Sequence, residues 1–415
     1  MATTYTSPGV YVEEVSAGTH PIVPIGVSTA GFVGEAPNPA ALVNVAWPIN
    51  NWTEFVRHYA PEGTTSTPLS HAVFGYFMNG GSRCYVVNTG KDQPVTGGGR
   101  DRAGLQVLEQ VDEAAIVVCP GYTDVASYEA ILSHCELMKD RVAILDAPGS
   151  VPNIDLLTKV GTVAVEAPKD STGGSGRRGA SAGAPVPAPP AGLRPRLSDY
   201  GTLYFPWITV RDPLGSEGLI DIPPSGHMAG IWARSDATRG VHKAPANEPI
   251  RGALNLTYRL TAAEQGELNL AGVNCFRFFE REGIRVWGAR TLAASSSEWR
   301  YLNVRRLFIM VEKSIARSTN WIVFEPNDRT LWKSIRRDAS AFLTYLWRTG
   351  ALMGRTPASA FFVKCDEESN PPDVIDLGQV VTIIGIAPVK PAEFVVFRIS
   401  QWDGGSSVEA LGVAG

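Results

Sequence analysis

The residue types that could carry chemistry are sparse in this chain and show no spacing typical of a site. The six histidines lack metal-ligand spacing; they are His20, His58, His71, His134, His227 and His242. The five cysteines are an odd number without a CxxC pair, which favours buried free thiols over disulfides or a zinc site; they are Cys84, Cys119, Cys135, Cys275 and Cys365. The run Asp366-Glu367-Glu368 stands just before Asn370-Pro371-Pro372 and is typical of a solvated turn. The sequence therefore predicts no catalytic residue and no metal ligand.

Glycine-rich segments that could hold a phosphate are incomplete. Gly90-Lys91 is followed by Asp92 where a P-loop needs Ser or Thr, and Gly97–Gly99 leads into no helix start. The unit at 116–146 resembles half of a nucleotide-binding fold, but it lacks a glycine-rich turn. We expect no cofactor. An α/β enzyme with a cofactor site near Cys119–Tyr122 stays open as an alternative.

The elements around these residues alternate between strands and helices, which predicts an α/β fold with mixed α+β character. Strands are expected at 31–35, 83–88, 115–118, 142–146, 200–210, 360–365 and 380–386, and a β-hairpin at 274–287. Helices are expected at 69–78, 124–139, 223–238 and 261–270. Asn51 is expected to cap a further short helix. Nineteen of the 27 residues at 169–195 are Gly, Pro, Ala or Ser, which predicts a flexible surface excursion.

Composition and charge limit the classes of protein to which this chain can belong. A formal net charge of −4 argues against a nucleic-acid binder, and no apolar run approaches the ~20 residues that span a bilayer. The first residues lack a signal-peptide pattern, so we expect assembly in the cytoplasm. With 415 residues the chain is long enough for two or three domains.

The segment from Trp299 to Arg348 differs from the rest in charge. It holds ten Lys or Arg and four Asp or Glu, although the whole chain is acidic. Apolar residues recur at helical spacing on both sides of Trp321–Phe324, which predicts two helices separated by a short strand. The second helix gathers basic residues opposite its apolar stripe. A solvated amphipathic helix is the simpler interpretation; a helix that docks an acidic partner is the alternative.

Both ends of the chain are β-prone without a local partner strand. A terminal strand can return to its own sheet, or it can be donated to the sheet edge of another chain. Two apolar edge strands would promote aggregation of a monomer, which favours donation to neighbours.

Several long stretches resemble the sheath proteins of contractile phage tails and contractile injection systems. They are PPSGHMAG (223–230), GVHKAPAN (240–247), NVRRL (303–307), WIVFEPNDRTLW (321–332), AFFVKCD (360–366) and the opening SPGVYVEE (7–14). The resemblance spans nearly the whole chain except 169–195. It implies a helical tube of subunits around an inner tube, assembled in bacteria as part of a phage tail or a tail-like particle, with a baseplate at one end and a terminator or cap at the other. No ATP would be needed for contraction, and neither nucleic-acid binding nor membrane insertion is implied.

On this resemblance we divide the chain into an N-terminal arm (1–21), an outer α/β domain (22–240), an inner sheath domain (241–391) and a C-terminal arm (392–415). The arms would complete the β-structure of neighbouring subunits; the expected strand residues are Val10, Tyr11, Val12, Glu13, Val15, Phe394, Val395, Val396, Phe397 and Ile399. The basic helix would contact the inner tube through Arg329, Lys333, Arg336, Arg337 and Arg348. A baseplate or terminator protein of related fold is the remaining alternative.

Overall fold

The computed structural model describes residues 20–96, 101–161, 192–215 and 218–394. The helices are α1 (Trp52–Tyr59), α2 (Pro68–Asn79), α3 (Val125–Met138), α4 (Ser225–Arg239), α5 (Ala262–Leu270), α6 (Leu302–Ser318), α7 (Arg329–Arg348), α8 (Pro357–Ala360) and α9 (Pro372–Asp376). The strands are β1 (Ala30–Gly34), β2 (Trp47–Ile49), β3 (Cys84–Asn88), β4 (Ile116–Val118), β5 (Val142–Asp146), β6 (Gly201–Phe205), β7 (Ile208–Arg211), β8 (Leu219–Ile222), β9 (Asn255–Leu256), β10 (Val273–Phe279), β11 (Gly283–Trp287), β12 (Phe361–Lys364) and β13 (Ile383–Ile386).

Helix starts follow the capping residues that the sequence offers. Asn51 accepts a hydrogen bond from Glu54 N at 2.9 Å and begins α1, as predicted. Asp124 caps α3 in the same way, and Thr261 forms a capping box with Glu264 at the start of α5. These local signals account for the agreement between the predicted and observed helix bounds.

A mixed sheet of eight strands forms the centre of the fold, in the order β11-β10-β6-β5-β4-β1-β3-β2. The inner strands are parallel, with Ala30 opposite both Cys84 and Ile116, and the two edge strands are antiparallel. Two hydrophobic clusters cover its two faces: α1, α2 and α4 lie on one, α3 and α5 on the other. The predicted α/β class is confirmed.

The closest helix contact in this core is between α2 and α4. A Cβ on Gly226 would lie 2.2 Å from Ala72 Cα, so no side chain fits at this position. Trp232 of α4 is fully buried beneath the sheet. Gly226 of the PPSGHMAG stretch therefore has a packing role.

The predicted hairpin at 274–287 is present as β10 and β11, and it belongs to the central sheet. Val273 of β10 pairs in parallel with Leu203 of β6. One sheet thus includes strands from both sides of residue 240, where we placed a domain boundary; the four-part division stays a prediction.

Two segments depart from the predicted secondary structure. The single strand expected over 200–210 is divided at Pro206 into β6 of the central sheet and β7, which joins β8 and β9 in a second sheet. The prediction of a strand at Trp321–Phe324 is wrong. A short 3₁₀ turn at Asn320–Ile322 and a tight bend replace it, with Phe324 at a φ of 71°.

Most of the excursion predicted at 169–195 lies outside the described residues, which stop at 161 and resume at 192. Its two ends are neighbours: Gly161 N donates to Arg194 O at 2.8 Å, and Val160 bridges Arg194. The described residues on the two sides of this segment therefore lie side by side.

Candidate assembly surfaces

Helix α7 carries the basic face that the sequence predicts. Asp328 Oδ1 accepts hydrogen bonds from Thr330 N and Leu331 N, each at 2.8 Å, and so starts the helix. Its apolar stripe is buried, with Phe342 and Leu346 in the main core. The opposite face lies at the surface.

The five cations expected to contact an inner tube differ in their surroundings. Arg329, Lys333, Arg337 and Arg348 are exposed and Arg336 is half-buried. Arg329 Nη2 is 2.7 Å from Glu367 Oε1, and Arg337 Nε is 2.9 Å from Asp338 Oδ1. In the described part of the chain, Lys333, Arg336 and Arg348 have no ion pair. The charge count of the sequence therefore overstates the charge available to a partner.

The acidic run that pairs with Arg329 is a solvated turn, as predicted. Asp366 Oδ1 accepts a hydrogen bond from Ser369 N, Glu367 forms an ion pair with Arg329, and Glu368 forms an ion pair with Lys364. None of the three carboxylates is placed as an acid and base pair across a cleft.

Strands β12 and β13 form a sheet of only two strands beside α7. They are antiparallel, with Phe361 opposite Ile386 and Val363 opposite Ile384. These four side chains pack inward on the core, whereas Phe362 of the outer face is 57% exposed. No further strand borders either edge among the described residues. Two strands alone are marginal in water, so this sheet has room for added strands.

The N-terminal segment leaves the fold along α6. Ile25 N donates to Ser314 Oγ at 2.9 Å, Val23 N donates to Ser318 Oγ at 3.3 Å, and His20 stacks on Trp321 with ring centroids 4.3 Å apart. The predicted arm residues Val10, Tyr11, Val12, Glu13 and Val15 lie outside the described residues. Their point of departure is the C-terminal end of α6.

The C-terminal segment leaves at the other end of α6. Asn303 Nδ2 donates to Val389 O at 2.9 Å, and Arg290 Nε donates to Glu393 Oε1 at 2.9 Å. Phe394 follows and is 74% exposed. The other predicted strand residues of this arm, Val395, Val396, Phe397 and Ile399, lie outside the described residues.

Two features of this region were missed in the sequence. Asp338 is 8% exposed, and its Oδ2 atom is buried without a hydrogen-bond partner in the described chain. Phe324 is fully exposed with a backbone conformation that bulky residues avoid. Burial and backbone strain depend on distant packing, so only the unusual apolar tip of WIVFEPND could have signalled Phe324.

Side chains line the end of β1, near the place where an enzyme of this fold would hold a cofactor. A Cβ on Gly34, at the end of β1, would lie 3.8 Å from the Tyr122 ring and 3.6 Å from Leu69. Tyr122 Oη donates to Gln93 O at 3.0 Å. Burial raises the pKa of the Cys119 thiol well above its usual range, which disfavours a thiolate. These observations weigh against the cofactor site near Cys119–Tyr122.

The cysteines are the buried free thiols that the sequence predicts. All five cysteines are buried and free. Burial lowers the pKa of His134 and of His227 to about 4, so both rings are neutral at neutral pH. Within the described ranges no group of three His, Cys, Asp or Glu side chains could hold a metal ion, and no helix could cross a membrane.

Comparisons with known proteins show the family of this chain. A model of the phage tail sheath protein central domain matches residues 197–292, and a model of the phage tail sheath C-terminal domain matches residues 294–401. The chain belongs to the phage tail sheath family. The resemblance found in the sequence motifs is thereby confirmed.

One curated sheath relative and two sheath structures show how far the likeness extends. The tail sheath protein of Vibrio phage KVP40 is 30% identical over 180 residues, which is 43% of this chain and 26% of that protein. The chain thus spans about a quarter of that relative's length. The contracted sheath complex of the extracellular contractile injection system PVC matches with a TM-score of 0.73 and 28% identity, over 97% of this chain and 99% of that one. The contracted helical sheath of the anti-feeding prophage matches with a TM-score of 0.71 and 26% identity, over 96% and 100%.

Proposed function

We propose that this chain is the structural subunit of a contractile sheath, which polymerises as a helical tube around an inner tube and contracts to drive that tube through a target envelope. The observation that carries the proposal is the likeness to contracted injection-system sheaths over almost the full length of both chains.

Strand exchange supplies the connection between subunits in this proposal. The two-stranded sheet β12–β13 offers backbone groups along its edges, and both ends of the chain are β-prone. Because each subunit would give strands to copies of itself and accept strands at a different place, the contact is heterologous. Contacts of this kind that do not close generate a helix.

Contraction follows as a rigid-body change. Arms held by backbone hydrogen bonds would keep neighbours connected while the packed domains rotate against each other. The extended state would be metastable, and new contacts between domains would provide the work. Contacts to the inner tube through the exposed cations of α7 would be electrostatic, and therefore easily released as the sheath widens.

Electron microscopy of the purified chain, with and without its inner tube protein, tests the proposal. We expect long tubes that shorten and widen on mild destabilisation. Rings without elongation would favour a baseplate or terminator protein instead. Tight binding of a nucleotide by a monomer that never polymerises would favour an enzyme.

Deletions test strand exchange within this proposal. Removal of residues 1–15, or of 395–415 so that Glu393 keeps its partner Arg290, should leave folded monomers that do not polymerise. Removal of 162–191 is the matched control, because Gly161 and Arg194 are already hydrogen-bonded and a short linker can join the ends. Normal tubes from either arm deletion would refute the exchange.

A further inference from the structure

The buried carboxylate of Asp338 is the feature of α7 that the tube contact leaves unexplained. Its Oδ1 atom accepts from Arg337 Nε at 2.9 Å, but its Oδ2 atom is buried and lacks a donor among the described residues. The side chain is 9% exposed. A carboxylate oxygen withdrawn from water is costly unless a donor satisfies it.

Asp338 lies where two apolar grooves meet. One groove, of about 390 Å³, lies between α6, α7 and β13 and includes Ile335 and Ile384. The other, of about 440 Å³, runs along α7 between Tyr345 and the segment Pro21–Pro24. Asp338 is the one acidic side chain that lines these grooves in the described chain; Arg337 pairs with its Oδ1 atom, and no described donor reaches its Oδ2 atom.

The first groove lies under the free edge of the two-stranded sheet. Val380, Thr382 and Ile384 alternate along β13 and its approach, and all three line the groove. Ile383, between them, points to the outer face and is 48% exposed. A strand added beside β13 would place every second side chain on the side of the groove that Asp338 also lines.

We propose that the strand beside β13 is residues 395–399 of a second copy, and that its Arg398 guanidinium donates to Asp338 Oδ2. This inference rests on the proposed strand exchange and names the arm and the residue. Charge complementarity selects the occupant: residues 1–19 contain no Lys or Arg, and Arg398 is the only one in residues 395–415. The N-terminal arm instead carries Glu13 and Glu14, which Asp338 would repel.

A tight turn after Glu393 in the same chain would misplace this arginine. Glu393 is held by Arg290, beyond the start of α6, so a chain that turned back there would bring Arg398 level with about Pro388. Thr382 and Ile384, which line the groove beside Asp338, lie further along the strand by four to six residues, estimated at ~13–20 Å from the rise per residue. This register favours a second copy as the source of the arginine.

The pair would fix the register of the exchanged strand. A slip of one residue would turn Arg398 to the outer face and leave its guanidinium and the Asp338 Oδ2 atom without partners. A guanidinium and a carboxylate in apolar surroundings thus provide specificity that the apolar residues Val395, Phe397 and Ile399 cannot.

Cross-linking between differently labelled chains tests the contact. The native cysteines are all buried, whereas Ala341 is exposed and lies one turn of α7 after Asp338, so a chain carrying Ala341→Cys and a chain carrying Arg398→Cys each offer one reactive thiol. Mixed and polymerised, then treated with a short bifunctional maleimide, they should give covalent heterodimers. Tubes that form without heterodimers overturn the inference, as do heterodimers with Val12→Cys in place of Arg398→Cys. Failure of the wild-type chain to form tubes would instead count against the proposed function.

Neutral variants give the energetic test. Asp338→Asn and Arg398→Gln should each raise the protein concentration needed for tube formation roughly tenfold or more, without lowering the melting temperature of the monomer. The double variant should be no worse than the worse single variant, because the two changes remove one interaction. Asp376→Asn, an exposed carboxylate on α9, is the control. Additive losses in the double variant would overturn the pairing.

Discussion

The ion pairs on α7 rank its cations, and this ranking can be tested by neutralising one charge at a time. Lys333 is exposed and has no ion pair in the described chain, whereas Arg329 already lies 2.7 Å from Glu367. Lys333→Gln and Arg329→Gln each remove one positive charge from the same helix. If α7 contacts an acidic inner tube, the first change should weaken co-assembly more than the second.

The expected size follows from the exposure of these side chains. An exposed ion pair contributes about 0.2–1 kcal/mol, so loss of a Lys333 contact should weaken the affinity per subunit by up to about fivefold. Arg329 must leave Glu367 before it can bind a partner, and its net contribution is smaller. The double reversal Lys333→Glu with Arg336→Glu replaces attraction by repulsion and should reduce assembly on the tube further.

Co-sedimentation of sheath with preformed inner tubes measures this difference. The bound fraction should fall in the order wild type, Arg329→Gln, Lys333→Gln, Lys333→Glu/Arg336→Glu at low salt. The differences should disappear at about 0.5 M salt, because screening shortens the range of exposed charges. Melting temperatures should stay unchanged, since none of these side chains is part of the core.

Equal losses for Lys333→Gln and Arg329→Gln would refute the ranking by ion pairs. Unchanged co-assembly of the double reversal at moderate salt would refute the tube contact itself. A loss that persists at high salt would indicate an apolar contact in place of an electrostatic one.

Three further predictions concern the stability of the fold. Arg306→Met should cost about 3–5 kcal/mol in urea unfolding, because Arg306 and Asp236 form a buried pair, and adding Asp236→Leu should recover part of the loss. Burial raises the pKa of Asp146 from 3.8 to about 7. The contribution of this carboxyl group to the stability of the fold is therefore complete below its unfolded-state pKa and is lost as the pH rises through 7. The melting temperature of Asp146→Asn should consequently increase relative to that of the wild type between pH 5 and pH 8. Phe324→Gly should raise the free energy of unfolding by about 1 kcal/mol, because the Phe324 side chain is fully exposed and the backbone φ of 71° at this residue suits glycine. A loss of stability would contradict this.

Local patterns were sufficient for most elements of the fold. Asn51, Asp124 and Thr261 begin helices where the sequence places them, because a cap is a contact between residues two or three positions apart. The failure at Trp321–Phe324 has the opposite cause. An apolar run becomes a strand only beside a partner, and here Trp321 packs on His20 instead.

The sequence by itself therefore determined the class of fold, the helix bounds, the absence of recognisable catalytic motifs and, through long stretches in a fixed order, the family. Only the tertiary structure decided that the hairpin at 273–287 joins the central sheet, that Arg329 is already paired, and that Asp338 is buried with an oxygen unsatisfied. The reason is physical: caps and periodicity act within a few residues, whereas burial, ion pairing and strand partners depend on residues far apart in the chain.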